Sequence, residues 1–131
     1  MPIDHLGIAV SDLTAALAAW AGDVGAPEGP LELVEGQGVR VAFLNVGGVH
    51  LELLEPVDPA SPVARFIEKR GEGLHHIALH VPSVQAALDR AKAGGAKLVD
   101  SVPRPGARGR RVGFVHPSAH RGVLLEFVEG P

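Results

Sequence analysis

The 131-residue chain contains no cysteine, which excludes disulfides, thiolate metal sites and a cysteine nucleophile together. Any metal would have to be held by nitrogen and oxygen. Aromatic residues are scarce, with four Phe, one Trp and no Tyr. Excess positive charge is absent too: 12 Lys and Arg stand against 15 Asp and Glu, a formal net charge of −3. A nucleic-acid binder needs cationic surface for phosphates and aromatic faces for bases, so that class is excluded. Long apolar runs are also missing. The longest uncharged run with helical spacing, Leu13 to Gly22, is about half of what a membrane span requires. Met1-Pro-Ile-Asp-His5 shows neither the basic nor the apolar region of a secretory signal. At 46 % hydrophobic residues the chain can build an ordinary core in one compact domain, and it is expected to be soluble and cytoplasmic.

What is present is a repeat. Ile3 to Leu17 aligns with Leu74 to Leu88, setting His5 on His76, Val10 on Val81 and Ala15-Ala16-Leu17 on Ala86-Ala87-Leu88 at an offset of 71 residues. The same offset sets Val41-Ala-Phe-Leu44 on Val112-Gly-Phe-Val115. With three extra residues in a later turn, Val49-His-Leu-Glu-Leu53 meets Val123-Leu-Leu-Glu-Phe127, so Glu52 matches Glu126 at an offset of 74. A second strand pair in the same order and register argues against chance.

Each copy reads as a βαβββ module. Residues 3–10 alternate as a strand, Ser11-Asp12 offers an N-cap, and Leu13, Ala16, Leu17 and Trp20 recur at helical spacing until Gly22. Strands are predicted near 31–35, 39–46 and 49–55, with turns at Gly36 and Gly47-Gly48. The second copy predicts a strand over 74–81, a helix from Ser83 to about Ala93, and strands near 97–100, 111–116 and 122–128. Module one covers about 1–56 and module two about 74–131. In the linker, 57–73, the spacing of Val63, Phe66 and Ile67 predicts a short helix. The expected fold is α+β: two tandem modules forming a curved mixed sheet around a metal-binding trough.

The repeat changes how four residues read. A single Glu among leucines on a strand reads first as a solvated residue opposite a buried face, and a single His as a satisfied core residue. Here the same His and the same Glu occur twice at matching sites, His5 with His76 and Glu52 with Glu126. Pseudo-two-fold pairing of the modules would bring all four together. Two imidazoles and two carboxylates are a suitable donor set for a divalent first-row metal. Among the other histidines, His75 should point away from the trough, His80 could line it, and His50 and His120 look like turn or strand-edge residues. His116 either presents a donor near the site or ends a strand in a turn.

The motifs resemble those of the vicinal oxygen chelate superfamily, and most closely its methylmalonyl-CoA epimerases, over almost the whole chain. The matching segments include Ile3-Asp-His-Leu-Gly-Ile-Ala-Val10, Gln37 to Leu44, His50-Leu-Glu-Leu-Leu-Glu-Pro56, Gly71-Glu-Gly-Leu-His-His-Ile-Ala78, Pro105-Gly-Ala-Arg-Gly109, Phe114-Val-His-Pro117 and Gly122-Val-Leu-Leu-Glu126. The resemblance implies metal ligands at His5, His76 and Glu126, with Glu52 in the fourth position, where some members carry Gln. It implies a divalent ion, cobalt first, with manganese, nickel, zinc and magnesium also compatible. The implied reaction inverts methylmalonyl-CoA between its (R) and (S) forms by removing the α-proton through a metal-stabilised enolate. Epimerisation needs a base on one face and an acid on the other, and Glu126 and Glu52 are the candidates. One departure bears on this: a glutamate proposed as a base in some epimerases aligns here with Val41, which cannot move a proton.

The CoA moiety carries phosphates, and Arg104, Arg108, Arg110 and Arg111 crowd one stretch, with Lys69 and Arg70 on the linker as weaker candidates. Arginine suits phosphate by its forked, permanently charged group, so Arg108 and Arg110, with His116, are the expected contacts; the alternative is a solvated surface loop. A homodimer is expected, with no nucleic-acid or membrane partner. Other readings of the same pattern are a glyoxalase I-type lyase acting on a glutathione hemithioacetal, an iron extradiol dioxygenase, and a metal-free ligand-binding module.

Overall fold

The computed structural model describes all residues, Met1–Pro131. It contains eight strands and three helices in two compact units, one spanning His5–His75 and the other joining Met1–Asp4 to His76–Pro131. The division runs through the first strand of each repeat. In chain order the elements are β1 (Ile3–Ala9), α1 (Leu13–Val24), β2 (Glu32–Val34), β3 (Val39–Val46), β4 (Val49–Pro56), α2 (Pro62–Arg70), β5 (Gly73–His80), α3 (Val84–Ala93), β6 (Arg104–Pro105), β7 (Arg111–Val115) and β8 (Leu124–Glu129).

In the first unit β1 pairs in parallel with β4, β4 antiparallel with β3, and β3 antiparallel with β2. The second unit repeats this: β5 is parallel to β8, which is antiparallel to β7, which is antiparallel to β6. In both, the helix crosses over one face to the far edge strand, and the two antiparallel connections that follow bring the last strand back beside the first and parallel to it. That placement sets the histidine strand beside the glutamate strand in each unit.

One face of each four-stranded set packs on its helix. Leu13, Ala16, Leu17 and Trp20 of α1 cover Ile8, Val10, Ala42, Leu44 and Leu53, while Val84, Ala87 and Leu88 of α3 cover Val81, Val115 and Phe127. Gly113 lies under α3: a Cβ there would come within 2.8 Å of Leu88 Cδ1 and 2.9 Å of Val84 Cγ1. The matching residue of the first repeat, Ala42, carries the extra carbon and is fully buried.

The helix starts are held from the last strands. Asp12 caps α1 through the Ala15 N–H and Ser83 caps α3 through the Ala86 N–H, as the N-cap preference predicts. In addition, Glu55 on β4 accepts from the Leu13 N–H at 2.9 Å, and Glu129 on β8 accepts from the Val84 N–H at 2.8 Å. These two carboxylates occupy matching repeat positions, three residues past Glu52 and Glu126. Each satisfies a first-turn donor left open by helix geometry and places negative charge at the positive end of the helix.

The predicted elements recur, with one correction. The segment 97–100 is not a strand: it makes a single bridge, Leu98 with Val115, and the N–H groups of Val99 and Asp100 both donate to the Phe114 carbonyl. Two donors on one acceptor break the one-to-one ladder, so the edge strand forms later, at Arg104–Pro105. It is two residues long because the chain turns back at once: the Gly106 N–H donates to the Arg110 carbonyl at 2.9 Å, and Ala107–Gly109 forms the tight turn between them. The linker helix is present as α2, capped by Ser61 and opened by Pro62.

Candidate metal centre

The face of each strand set away from its helix carries the histidine and the glutamate. In the first unit, His5 and Gly7 on β1 lie beside His50 and Glu52 on β4, and Phe43 on β3 lies opposite Glu52. In the second, His76 and Ala78 on β5 lie beside Leu124 and Glu126 on β8, with Phe114 on β7 opposite Glu126. The residue beside each carboxylate on the first strand is small, Gly7 or Ala78, which leaves room for the side chain.

All four predicted ligands are buried: His5 is 2 % exposed, Glu52 6 %, His76 4 % and Glu126 4 %. The alternation argument for a solvated glutamate therefore fails at both sites, because β4 and β8 are covered on both faces. His5 Nε2 lies 3.3 Å from Glu52 Oε1. His76 Nε2 lies 3.0 Å from Glu126 Oε1. Each imidazole also meets a phenylalanine edge-to-face, His5 on Phe43 at 6.1 Å and His76 on Phe114 at 5.7 Å between centroids. The two units thus hold the same three-residue arrangement, His, Glu and Phe, at matching positions. Sequence comparison of the copies aligned Phe43 with Phe114 but assigned them no role.

The remaining candidates separate. Arg110 is buried, and its guanidinium takes both carboxylate oxygens of Asp4 at 2.7 and 2.6 Å. Its fork is thus engaged inside the second unit. Arg108 is exposed, in the left-handed region at φ 61°. His116 is the N-cap of the short turn Pro117–His120, its Nδ1 accepting from the Ser118 N–H at 3.0 Å. His80 Nε2 lies 3.0 Å from the Gly130 carbonyl. His50 is half-buried, 3.3 Å from Glu28 Oε1 and edge-on to Phe43. His75 meets Phe66 edge-to-face at 5.0 Å. Val41 is buried on the same face as Glu52, opposite Leu54, and contributes only apolar lining.

A family model described as glyoxalase/bleomycin resistance protein/dioxygenase superfamily matches residues 4–114. The ethylmalonyl-CoA/methylmalonyl-CoA epimerase of Cereibacter sphaeroides is 40 % identical over 126 residues, covering 95 % of this chain and 94 % of that one. A serine-to-threonine variant of Streptomyces coelicolor methylmalonyl-CoA epimerase, solved in complex with 2-nitronate-propionyl-CoA, is 36 % identical. It aligns with a TM-score of 0.94 over 99 % of this chain and 94 % of that one. A methylmalonyl-CoA epimerase in complex with methylmalonyl-CoA and NH4+ is 37 % identical, with a TM-score of 0.92 over 98 % of this chain and 93 % of that one. With its two βαβββ repeats and its paired histidines and glutamates, the chain belongs to the glyoxalase/bleomycin resistance protein/dioxygenase superfamily, and its similarity there runs to the methylmalonyl-CoA epimerases.

Proposed function

We propose that the protein is a metal-dependent methylmalonyl-CoA epimerase whose single divalent ion takes one donor from each of His5, Glu52, His76 and Glu126. The observation that carries this reading is the donor group itself. The four side chains are buried, and each unit sets one imidazole Nε2 beside one carboxylate oxygen, at 3.3 Å for His5 and Glu52 and at 3.0 Å for His76 and Glu126. The chemistry fits: two carboxylates buried beside two neutral imidazoles leave two negative charges, which a divalent cation balances without leaving a charge unpaired in the interior. The relatives named above, two of them solved with acyl-CoA ligands, support the substrate class.

Held by His5, Glu52, His76 and Glu126, a divalent ion would supply Lewis acidity that stabilises the enolate formed when the α-proton leaves. The chain's own residues do the rest. Inversion requires a group that removes the α-proton from one face and a second that returns a proton to the other. Glu52 and Glu126 are the carboxylates at matching positions of the two repeats, and each takes one of these roles. When either acts as base, its carboxylate gains the α-proton and the substrate keeps the electron pair. The other glutamate, having first taken a proton from water, delivers it to the opposite face, and the first then returns its proton to solvent. The reaction is redox-neutral, and no electron carrier is required.

The N/O donor set suits a divalent first-row metal, and cobalt is the ion we assign first because the resemblance to the methylmalonyl-CoA epimerases implies it. We also propose a homodimer, since Leu31 and Leu33 expose about half of their surface along the β2 edge. No helix is long and apolar enough to cross a membrane, and a cytoplasmic enzyme of propionate metabolism is the setting we propose. The test is α-proton exchange and inversion of methylmalonyl-CoA in deuterium oxide, followed on protein stripped by chelator and then reloaded with cobalt. Both should vanish on stripping and return on reloading. A protein that neither exchanges nor inverts in any metal state overturns the reading.

A further inference from the structure

Arg104 stands on the same face of its unit as His76 and Glu126. It lies opposite Val112 in the β6–β7 pair, and residues opposite one another in an antiparallel pair project from the same side. Val112 shares that side with Phe114, which is opposite Glu126. The Arg104 Cζ is 5.2 Å from the Phe114 ring centroid, and the same ring receives His76 at 5.7 Å. The charge centre and the imidazole therefore share one aromatic platform and lie at most about 11 Å apart.

The guanidinium is held on its inner side. Asp100 Oδ1 lies 3.3 Å from Arg104 Nε, and Asp100 Oδ2 accepts from the Phe114 N–H at 2.9 Å, which pins that carboxylate to β7. The Phe114 ring packs against the guanidinium, and Nε, although 3.3 Å from Asp100 Oδ1, makes no hydrogen bond, while the side chain stays 33 % exposed. A planar, pre-positioned fork with its outer donors open is the arrangement that takes a bidentate oxyanion. Arg110, the expected anion contact, cannot do this because Asp4 already fills its fork.

We propose that Arg104 binds an oxyanion of the acyl-CoA thioester, and specifically the free carboxylate of its acyl group, making it a specificity-determining residue. The inference rests on the thioester reading above. Reach favours the carboxylate: an extended pantetheine arm, comparable to a four-residue peptide, puts roughly 14 Å between thioester and pyrophosphate. That exceeds the separation of Arg104 from His76.

Calorimetric titration of the metal-loaded protein with malonyl-CoA and with propionyl-CoA, which lacks the carboxylate, tests it. Arg104→Gln should weaken malonyl-CoA about tenfold or more and leave propionyl-CoA within twofold, while Arg104→Lys, which keeps the charge without the fork, falls between. Equal weakening of both ligands overturns the carboxylate in favour of a CoA phosphate, and no weakening of either overturns the site. The unchanged propionyl-CoA affinity doubles as the folding control, and Arg104→Lys carries the comparison if the Gln variant does not fold. Neither ligand can be inverted, so the result does not depend on turnover. A wild-type protein that binds neither thioester sinks the functional reading instead.

Discussion

His5 and His76 each present Nε2 to a buried carboxylate while the ring edge meets a phenylalanine, so each imidazole is oriented on two sides before any ligand arrives. Preorganised ligands of this kind are not replaceable by a neighbour. His5→Ala and His76→Ala should each lower metal content after dialysis by at least tenfold and abolish turnover. Stoichiometric metal in both single variants would falsify the shared centre. The glutamates admit a finer test, because Glu→Gln keeps shape and a ligating oxygen but removes the base. Glu52→Gln and Glu126→Gln should each lose inversion by a factor of about a hundred or more while retaining most of the metal. Each should still exchange the α-proton of one epimer with solvent, and the two should favour opposite epimers, since exchange needs one base and inversion needs two. If Glu52→Gln inverts at the wild-type rate, Glu52 is a ligand alone and the second proton-transfer group lies elsewhere.

At the scale of elements, each glutamate strand is tied to its helix by a second carboxylate. The Glu129 contact to the Val84 N–H and the Glu55 contact to the Leu13 N–H set where β8 and β4 stand against α3 and α1. Through those strands they set the height of Glu126 and Glu52. Glu129→Ala should cost about 1 kcal/mol, the usual worth of a helix cap, and lower Tm by roughly 3–6 °C for a domain of this size. Gly113 is the tighter constraint. Gly113→Ala would drive a methyl group into Leu88 and Val84 and should destabilise by about 1–3 kcal/mol, as overpacking does. Thermal or denaturant unfolding measures both. Ala42, the matching position under α1, tolerates the methyl group because it is the native residue there.

For the molecule as a whole, the metal should couple to both pH and stability. The imidazoles must be deprotonated to ligate, so protons compete with the ion and affinity falls as the solution is acidified. Below about pH 6, where free imidazoles protonate, the apparent Kd should rise by up to a hundredfold per pH unit, two protons for two histidines. An ion that binds only the folded chain raises its stability by mass action. Cobalt added to chelator-treated protein should therefore raise Tm at pH 7.5 and much less at pH 5. A cobalt-induced shift of equal size at both values would mean that the histidines do not hold the ion.

Much of this was legible in the linear sequence because it is carried by local pattern. Alternating apolar residues, caps at Asp12 and Ser83, and turn glycines are read within a few residues, and the repeat then ties His5 to His76 and Glu52 to Glu126 without coordinates. The copies even align Glu55 with Glu129 and Phe43 with Phe114, yet nothing local tells a helix-capping glutamate from a solvated one, or an orienting phenylalanine from a core one. Those distinctions depend on what covers the far face of a strand, which is decided by residues distant in sequence. The same holds for the arginines. Composition sees four guanidinium groups in one stretch, but Asp4, 106 residues from Arg110, determines that Arg110 is an internal ion pair. Phe114 and Asp100 in turn hold Arg104 on the face of His76. The edge strand at Arg104–Pro105, in place of 97–100, follows from two N–H groups sharing the Phe114 carbonyl. Charge and hydrophobicity are properties of a residue; which partner neutralises or covers it is a property of the packed chain.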